Sequence, residues 1–385
     1  MKKLLLASVA CGALAVATPA TAGDGVTLDL GGHFKGYTVF SDQDENNGDV
    51  HDLDIVRETE IHFTGETTLD NGLTVGFHAE SDIDNSNGDN FNNEESYAYF
   101  SSGWGRVNFG KEDGAAYLLQ VAAPSADSNI DGVRQYVQAV NYTALSANTA
   151  AVSGLALDYD HDVSEKSNKL TYITPVFSGF QAGVSYTPDV GGTSRGLDGV
   201  NLDDQDDDFG EVLDLAVRYE GQFEEVTFAL GGGYSDVSLE QEDVDTASDP
   251  SDDRQVWNVG LDMDWGPFGL GASWSEDDRG DQDVDGTAGG ATIDDEEILV
   301  IGVDYTHGPY TLGASYYDSE NTFGVQDLDT ERWAGGVTYT YGPGMTFRGS
   351  VQYVDHDHDS NANFFATGED SVDATSVLVG TQINF

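Results

Sequence analysis

Paired runs of period-two alternation, joined by tight turns at one end and long polar loops at the other, are the feature this chain must satisfy first. Over residues 26–40, Leu28, Leu30, Phe34 and Phe40 fall on one face and Asp29, His33, Lys35 and Tyr37 on the other, the pattern of a half-buried strand. Residues 55–69 set Ile61, Phe63 and Gly65 against Glu58, Glu60, His62 and Glu66. Residues 73–83 set Leu73, Val75, Phe77 and Ala79 against His78, Glu80 and Asp82. The turn between these two runs, Asp70-Asn71-Gly72, uses residues that tolerate positive φ. Gly103-Trp104-Gly105, Ser178-Gly179, Gly266-Pro267, His307-Gly308-Pro309 and Gly342-Pro343-Gly344 punctuate later pairs in the same way.

Counted to the end, the pattern predicts about sixteen strands, with short turns and long loops strictly alternating. An even number of antiparallel strands with that asymmetry describes a transmembrane β-barrel. A soluble sandwich also alternates apolar-in and polar-out, so three further features decide. The long loops fall at one end of every hairpin, whereas a sandwich mixes loop lengths. Aromatic residues stand near strand ends on the apolar face, among them Tyr186, Tyr219, Trp257, Trp265, Trp274, Tyr305, Tyr310, Trp333 and Tyr341, where an interfacial girdle needs rings wet at one edge and apolar at the other. The opposite face is rich in charge, Ser, Thr and glycine, as at Gly231, Gly233, Gly269 and Gly271.

Residues 1–22 read as a secretory signal peptide: a basic Met1-Lys2-Lys3, an apolar stretch over residues 4–17, and Ala20-Thr21-Ala22 as the cleavage site. Residues 23–385 are then the barrel. Removal of residues 1–22 takes away Cys11, the one cysteine, so no disulfide or thiol chemistry is expected. After the signal no apolar run of about 18 residues exists to cross a membrane as a helix. The net charge of −55, from 70 acidic and 15 basic residues, excludes nucleic acid and anionic membrane surfaces as partners. Part of this acidity suits a saline habitat, where screening makes it tolerable, and part suits ion selectivity.

One connector breaks the rhythm. From Asn108 to about Asn168 no alternating strand is seen, and structureless loops longer than about 15 residues are usually functional. We expect residues 111–168 to fold into the mouth of the barrel and narrow it. Tyr117-Leu118-Leu119-Gln120-Val121 suits one or two helical turns. Arg134, a cation among acids, is placed to pin the loop to Glu58 or Glu60, or else to stand in solvent. Arg57 falls on the apolar face of its strand, at the rim or in a subunit contact.

Several motifs resemble the general-diffusion porins of Gram-negative bacteria, particularly the alphaproteobacterial type. Trp104-Gly105-Arg106-Val107-Asn108-Phe109-Gly110-Lys111-Glu112-Asp113-Gly114-Ala115-Ala116 looks like that family's approach to its inward-folded third loop. Tyr172-Ile173-Thr174-Pro175-Val176-Phe177-Ser178-Gly179-Phe180 resembles the hairpin after it, and the terminal Gln382-Ile383-Asn384-Phe385 resembles the aromatic signal read by outer-membrane assembly machinery. The resemblance implies a sixteen-stranded antiparallel barrel in the outer membrane and its lipid, a homotrimer joined through the first and last strands, and passive passage of small hydrophilic solutes. It also implies a constriction between an acidic loop, here Glu112, Asp113, Asp127 and Asp131, and basic wall residues, here Lys35, Arg106, Arg218, Arg332 and Arg348. With the basic side thin and His33, His62 and His78 mostly neutral, cations are the expected preference.

Two rival functions remain at this stage: a substrate-specific channel, for which Tyr37, Tyr97, Tyr99 and Tyr317 would form the aromatic slide, and a secreted acidic β-protein acting as an adhesin or coat. No catalytic constellation and no metal-ligand set stands out. His356-Asp357-His358-Asp359 reads as an exposed loop. Asp281-Gln282-Asp283-Val284-Asp285-Gly286 opens like a calcium loop, but Thr292 occupies the twelfth position, where a bidentate Glu is required. Acidic loops would hold Ca²⁺ only loosely, and no cofactor is expected.

Overall fold

The computed structural model describes residues 26–45, 48–83, 92–145, 157–190, 209–240, 252–280, 295–323, 326–358 and 371–385. The chain forms sixteen strands: β1 (Thr27–Gln43), β2 (Leu53–Thr68), β3 (Thr74–Asp82), β4 (Asn92–Ser102), β5 (Gly105–Lys111), β6 (Asn168–Ile173), β7 (Phe180–Thr187), β8 (Phe209–Phe223), β9 (Val226–Leu239), β10 (Arg254–Trp265), β11 (Phe268–Asp277), β12 (Glu296–His307), β13 (Tyr310–Phe323), β14 (Gln326–Gly342), β15 (Met345–His358) and β16 (Ser371–Asn384). Each pairs with its sequence neighbours, and β1 closes antiparallel on β16. Closure leaves no edge strand, which is what a sheet needs to sit in hydrocarbon. The terminal residue is sewn into the seam, with Gly32 and Phe385 exchanging backbone hydrogen bonds at 3.0 Å in both directions.

The turns follow from their residues. Gly266 and Gly308 adopt φ of +60° and +61° immediately before Pro267 and Pro309, as the first central position of a type II′ hairpin demands. Ser178 and Gly179 are both at positive φ, 51° and 89°, the requirement of a type I′ turn.

Burial along the strands is inverted relative to a water-soluble protein. On β8, Leu213, Leu215 and Val217 are exposed while Asp214 and Arg218 are buried. On β10, Trp257 and Val259 are exposed while Asn258 is buried. Showing leucine outward and burying carboxylates stabilises a fold only where the outer medium is apolar. Rings mark both margins of that band: Trp257 meets Trp274 at 4.3 Å and Tyr316 meets Trp333 at 4.4 Å near the long-loop end. Phe268 meets Tyr305 at 5.0 Å and Tyr310 meets Tyr339 at 4.9 Å near the tight turns. A soluble coat or adhesin would not carry this outer surface.

Two sequence expectations are corrected. The alternation of short and long connections fails between β13 and β14, which run to Phe323 and resume at Gln326, because residues taken for a polar loop continue the ladder through Asn321↔Leu328 and Phe323↔Gln326. His356 and Asp357 belong to β15 instead of a loop, and His356 is fully buried inside. The signal-peptide residues and the Asp281–Gly286 motif lie outside the described residues.

Candidate functional site

Between β5 and β6 the chain leaves the wall and runs along the barrel's inner face, with three single turns of helix, α1 (Ala115–Leu118), α2 (Ser128–Asp131) and α3 (Tyr142–Leu145). The wall accepts this segment because it carries glycine where the loop lies. A Cβ on Gly302 would collide with the Pro124 carbonyl, and one on Gly260 with the Val121 carbonyl. On Gly231 it would stand 2.7 Å from Val121, and on Gly313 2.6 Å from the Ala126 amide. These glycines share the inward parity of Asn258 and Ser273, so the loop is in backbone contact with the wall from β9 to β13.

Small polar side chains fasten it at intervals. Ser185 accepts from the Ala115 amide at 2.8 Å, and Thr338 donates to the Ala126 carbonyl at 2.6 Å. Asp127 is the densest anchor, accepting from Tyr37 at 2.9 Å, Arg348 at 2.8 Å and Ser350 at 2.7 Å. Asn129 donates to the same tyrosine hydroxyl, and Ser315 donates to Asp131. The returning leg is tied to the outgoing one through Gln120, which donates to the Tyr159 carbonyl and accepts from the His161 amide. His161 is wedged between Ser235 at 2.7 Å and Asn258 at 2.6 Å, and burial pushes its pKa down to about 4, so it is a neutral strut at pH 7.

The structure brings the four acids expected at the constriction onto this one segment and buries them against the wall. Glu112, Asp113, Asp127 and Asp131 are 2%, 6%, 2% and 3% exposed, so they face the loop–wall contact and not open lumen. Burial raises the Glu112 carboxyl to about 7 against the pull of its hydrogen bonds and of Lys169. Burial also raises Asp113 and Asp131. One oxygen of each of these three has no hydrogen-bond partner among the described residues.

The five basic wall residues are scattered. Lys35 pairs with Glu58 at 2.9 Å and lies 3.1 Å from the Tyr136 ring centre. Arg106 stands 4.0 Å from the Tyr99 ring, and Arg218 pairs with Glu220. Arg348 is committed to Asp127, and Arg332 is fully buried beside Tyr317. Arg134 holds neither wall glutamate: it pairs with Asp160 at 2.8 Å and Asp162 at 2.6 Å within the loop. Burial alone would lower its pKa, but those carboxylates more than reverse the effect.

Of the proposed aromatic slide, Tyr37, Tyr99 and Tyr317 are buried, and the hydroxyls of the first two are spent on Asp127 and Glu66. Half-buried carboxylates instead line the inner face of β2 and β3, with Glu58 and Glu80 beside the buried Glu60. Asp262, Asp264 and Asp304 form a second acidic group on β10 and β12. Two arrangements were not legible in the sequence: the serine and threonine receivers of the loop, and the ring-to-ring contact of the pore-facing His33, His62 and His78 across β1 to β3. Both had the correct parity, but which strand position meets the loop depends on register and not on local pattern.

A family model described as Gram-negative porin matches residues 6–359. Outer membrane protein U of Vibrio vulnificus is 33% identical over 127 residues, 31% of this chain and 35% of that protein. An uncharacterized protein of Rickettsia conorii is 28% identical over 118 residues, so the chain spans 27% of that relative's length and the match takes in 28% of this chain. Among solved structures, an anion-selective porin from Comamonas acidovorans superposes with a TM-score of 0.63 at 16% identity, over 94% of this chain and all of that one. OmpT of Vibrio cholerae in its trimer form gives 0.58 at 14% identity, over 94% of this chain and 100% of that one. At such identities these structures speak for the fold alone.

Proposed function

The chain belongs to the Gram-negative porin family, and from that premise we propose that it is a passive outer-membrane channel for small hydrophilic solutes and ions, cation-preferring and active as a homotrimer. A barrel with an apolar exterior and a wet interior conducts without conformational work, and no catalytic step is involved. Selectivity by sign follows from the charges that line a narrow aqueous path.

The observation that carries the cation preference is the fate of the basic residues. Lys35, Arg348, Arg134 and Arg218 are each within ion-pair distance of a carboxylate, and Arg332 is sealed behind the loop. Positive charge is therefore cancelled or hidden at four of the five wall positions, Arg106 being held by Asn108 and the Tyr99 ring instead of a carboxylate, while Asp262, Asp264 and Asp304 remain partly open to the lumen. A local excess of negative potential concentrates cations and excludes anions, increasingly so at low ionic strength. Burial of the lumen tyrosines disfavours a stacking slide for sugars.

The test is the reversal potential in a salt gradient across a planar bilayer. Wild-type channels are expected to favour K⁺ over Cl⁻, and Asp262→Asn with Asp264→Asn and Asp304→Asn to move the potential toward zero. An anion-selective wild type would overturn the reading. Cross-linking in native membranes tests the trimer.

A further inference from the structure

The inner face of β1 to β3 carries a chain of alternating imidazoles and carboxylates. His33 on β1, His62 on β2 and His78 on β3 stand ring to ring across neighbouring strands, with centroids 5.9 and 5.7 Å apart. His62, His78 and Glu80 each offer a ligand atom within 4.8 Å of the others. The His78 Nε2 lies 2.8 Å and the His62 Nδ1 3.6 Å from the same Glu80 oxygen. We propose that His62, His78 and Glu80 form a binding site for a divalent first-row transition ion, with Zn²⁺ as the natural probe.

The surroundings of the three groups fit that role. A neutral imidazole has one lone pair for a metal, and the hydrogen bond at its other nitrogen decides which nitrogen carries it. His62 contacts Glu60 through Nε2, which leaves Nδ1 turned to Glu80. His78 contacts the Thr64 hydroxyl through Nδ1 at 2.9 Å, which leaves Nε2 turned to Glu80. Both rings thus have a second partner that sets the productive tautomer. Ligand atoms around tetrahedral Zn²⁺ lie about 3.3 Å apart, so the closure needed is on the order of one ångström and is within reach of side-chain rotation. The fourth position would face the lumen and hold water.

His33, Glu60 and His62 form a second triplet of the same kind, but its members are committed elsewhere. The His33 Nε2 lies 2.8 and 2.9 Å from the two oxygens of Glu58, which Lys35 also engages. Since His62 belongs to both triplets and has a single lone pair, the expected stoichiometry is one ion per chain. Two imidazoles and one carboxylate select zinc, copper or nickel over the hard calcium and magnesium ions that acidic loops attract.

The experiment is calorimetric titration of Zn²⁺ into refolded protein in detergent with millimolar Ca²⁺ present throughout, a readout that needs no channel activity. One saturable ion per chain is expected, with affinity lost at least tenfold in His62→Gln and in His78→Gln. Thr64→Val, which keeps all three ligands, should lose about 10- to 100-fold, and His33→Gln should stay near wild type. Heat-modifiable gel migration establishes that each variant is folded, and the two histidine variants stand in for each other should one fail. Binding unchanged in both histidine variants, binding abolished by Ca²⁺, or no saturable binding at all would each overturn the site. Zn²⁺-dependent loss of cation current would show in addition that the ion sits in the conducting path.

Discussion

The two arcs of the barrel wall are built on opposite principles. From β9 to β13 the inner face is glycine where residues 121–126 of the loop pass, and that part of the loop lies on bare backbone. From β1 to β5 the inner face carries histidine, glutamate, tyrosine, lysine and arginine, and the loop meets it through side chains: Asp127 and Asn129 at Tyr37, Tyr136 at Lys35 and His33, and Lys166 at Glu94. Side-chain length on the wall therefore decides where the loop settles and where water remains. Charge on the loop has a different part: its acids are spent on fastening, and the wall arc is left to meet solutes.

If the fastened side is as described, its strongest joint should fail most visibly. Asp127→Ala leaves Arg348 without its carboxylate and removes the acceptor of Tyr37 and Ser350, and breaking a buried ion pair from one side costs about 3–5 kcal/mol. The barrel should still assemble, because its ladder is untouched. The loop should become cleavable by protease, and single-channel recordings should become noisier with larger conductance. A protease-resistant, quiet channel would show that the glycine track alone holds the loop.

Next in size is a pH effect confined to the root of the loop. The Glu112 carboxyl titrates near 7 in the folded protein against 4.5 for a free side chain. Between those values the folded state holds a proton that the unfolded state has lost, so stability falls as pH rises through this window and levels off above it. At about 1.4 kcal/mol per unit the decline attributable to this group is at most about 3.5 kcal/mol. Glu112→Gln should flatten the pH dependence of thermal stability between pH 5 and pH 8. An equally steep profile in the variant would assign the titration to other groups.

The glycine track predicts a smaller but more local effect. Gly302→Ala drives a methyl group into the Pro124 carbonyl, and overpacking of this kind costs about 1–3 kcal/mol. Conductance should rise modestly without a change of selectivity. Gly308→Ala, placed in an open turn, is the control: its cost is backbone strain at φ +61°, and the loop should not respond.

Strand count, turn chemistry and the exposed apolar face were legible because each is local. Period two on β8 places Asp214 inside and Leu215 outside without any knowledge of the neighbours, and Gly-Pro names its own turn. The loop's partners were not legible. Arg134, expected either at Glu58 or Glu60 or in solvent, meets Asp160 and Asp162, because nothing in the spacing shows that the loop doubles back. Lys35, Arg106, Arg218, Arg332 and Arg348 all have inward parity, yet one is sealed under the loop and another is bound to Asp127. Parity gives the face of a residue but not its height, and the loop covers only some heights.

The least change is expected where the sequence alone would have placed the filter. Glu112→Gln with Asp113→Asn removes two of the four acids that the motif suggests for the constriction. Both are buried at the loop's root, with Glu112 held by Asn108 at 2.6 Å. A buried carboxylate that is protonated for part of the physiological pH range adds little to the potential felt in the lumen. The reversal potential of this double variant should therefore match wild type at neutral pH, while the wall variants at Asp262, Asp264 and Asp304 shift it. A shift of equal size in the loop variant would mean that the acids at the root act on ions directly, and the division between a fastening loop and a filtering wall would fall.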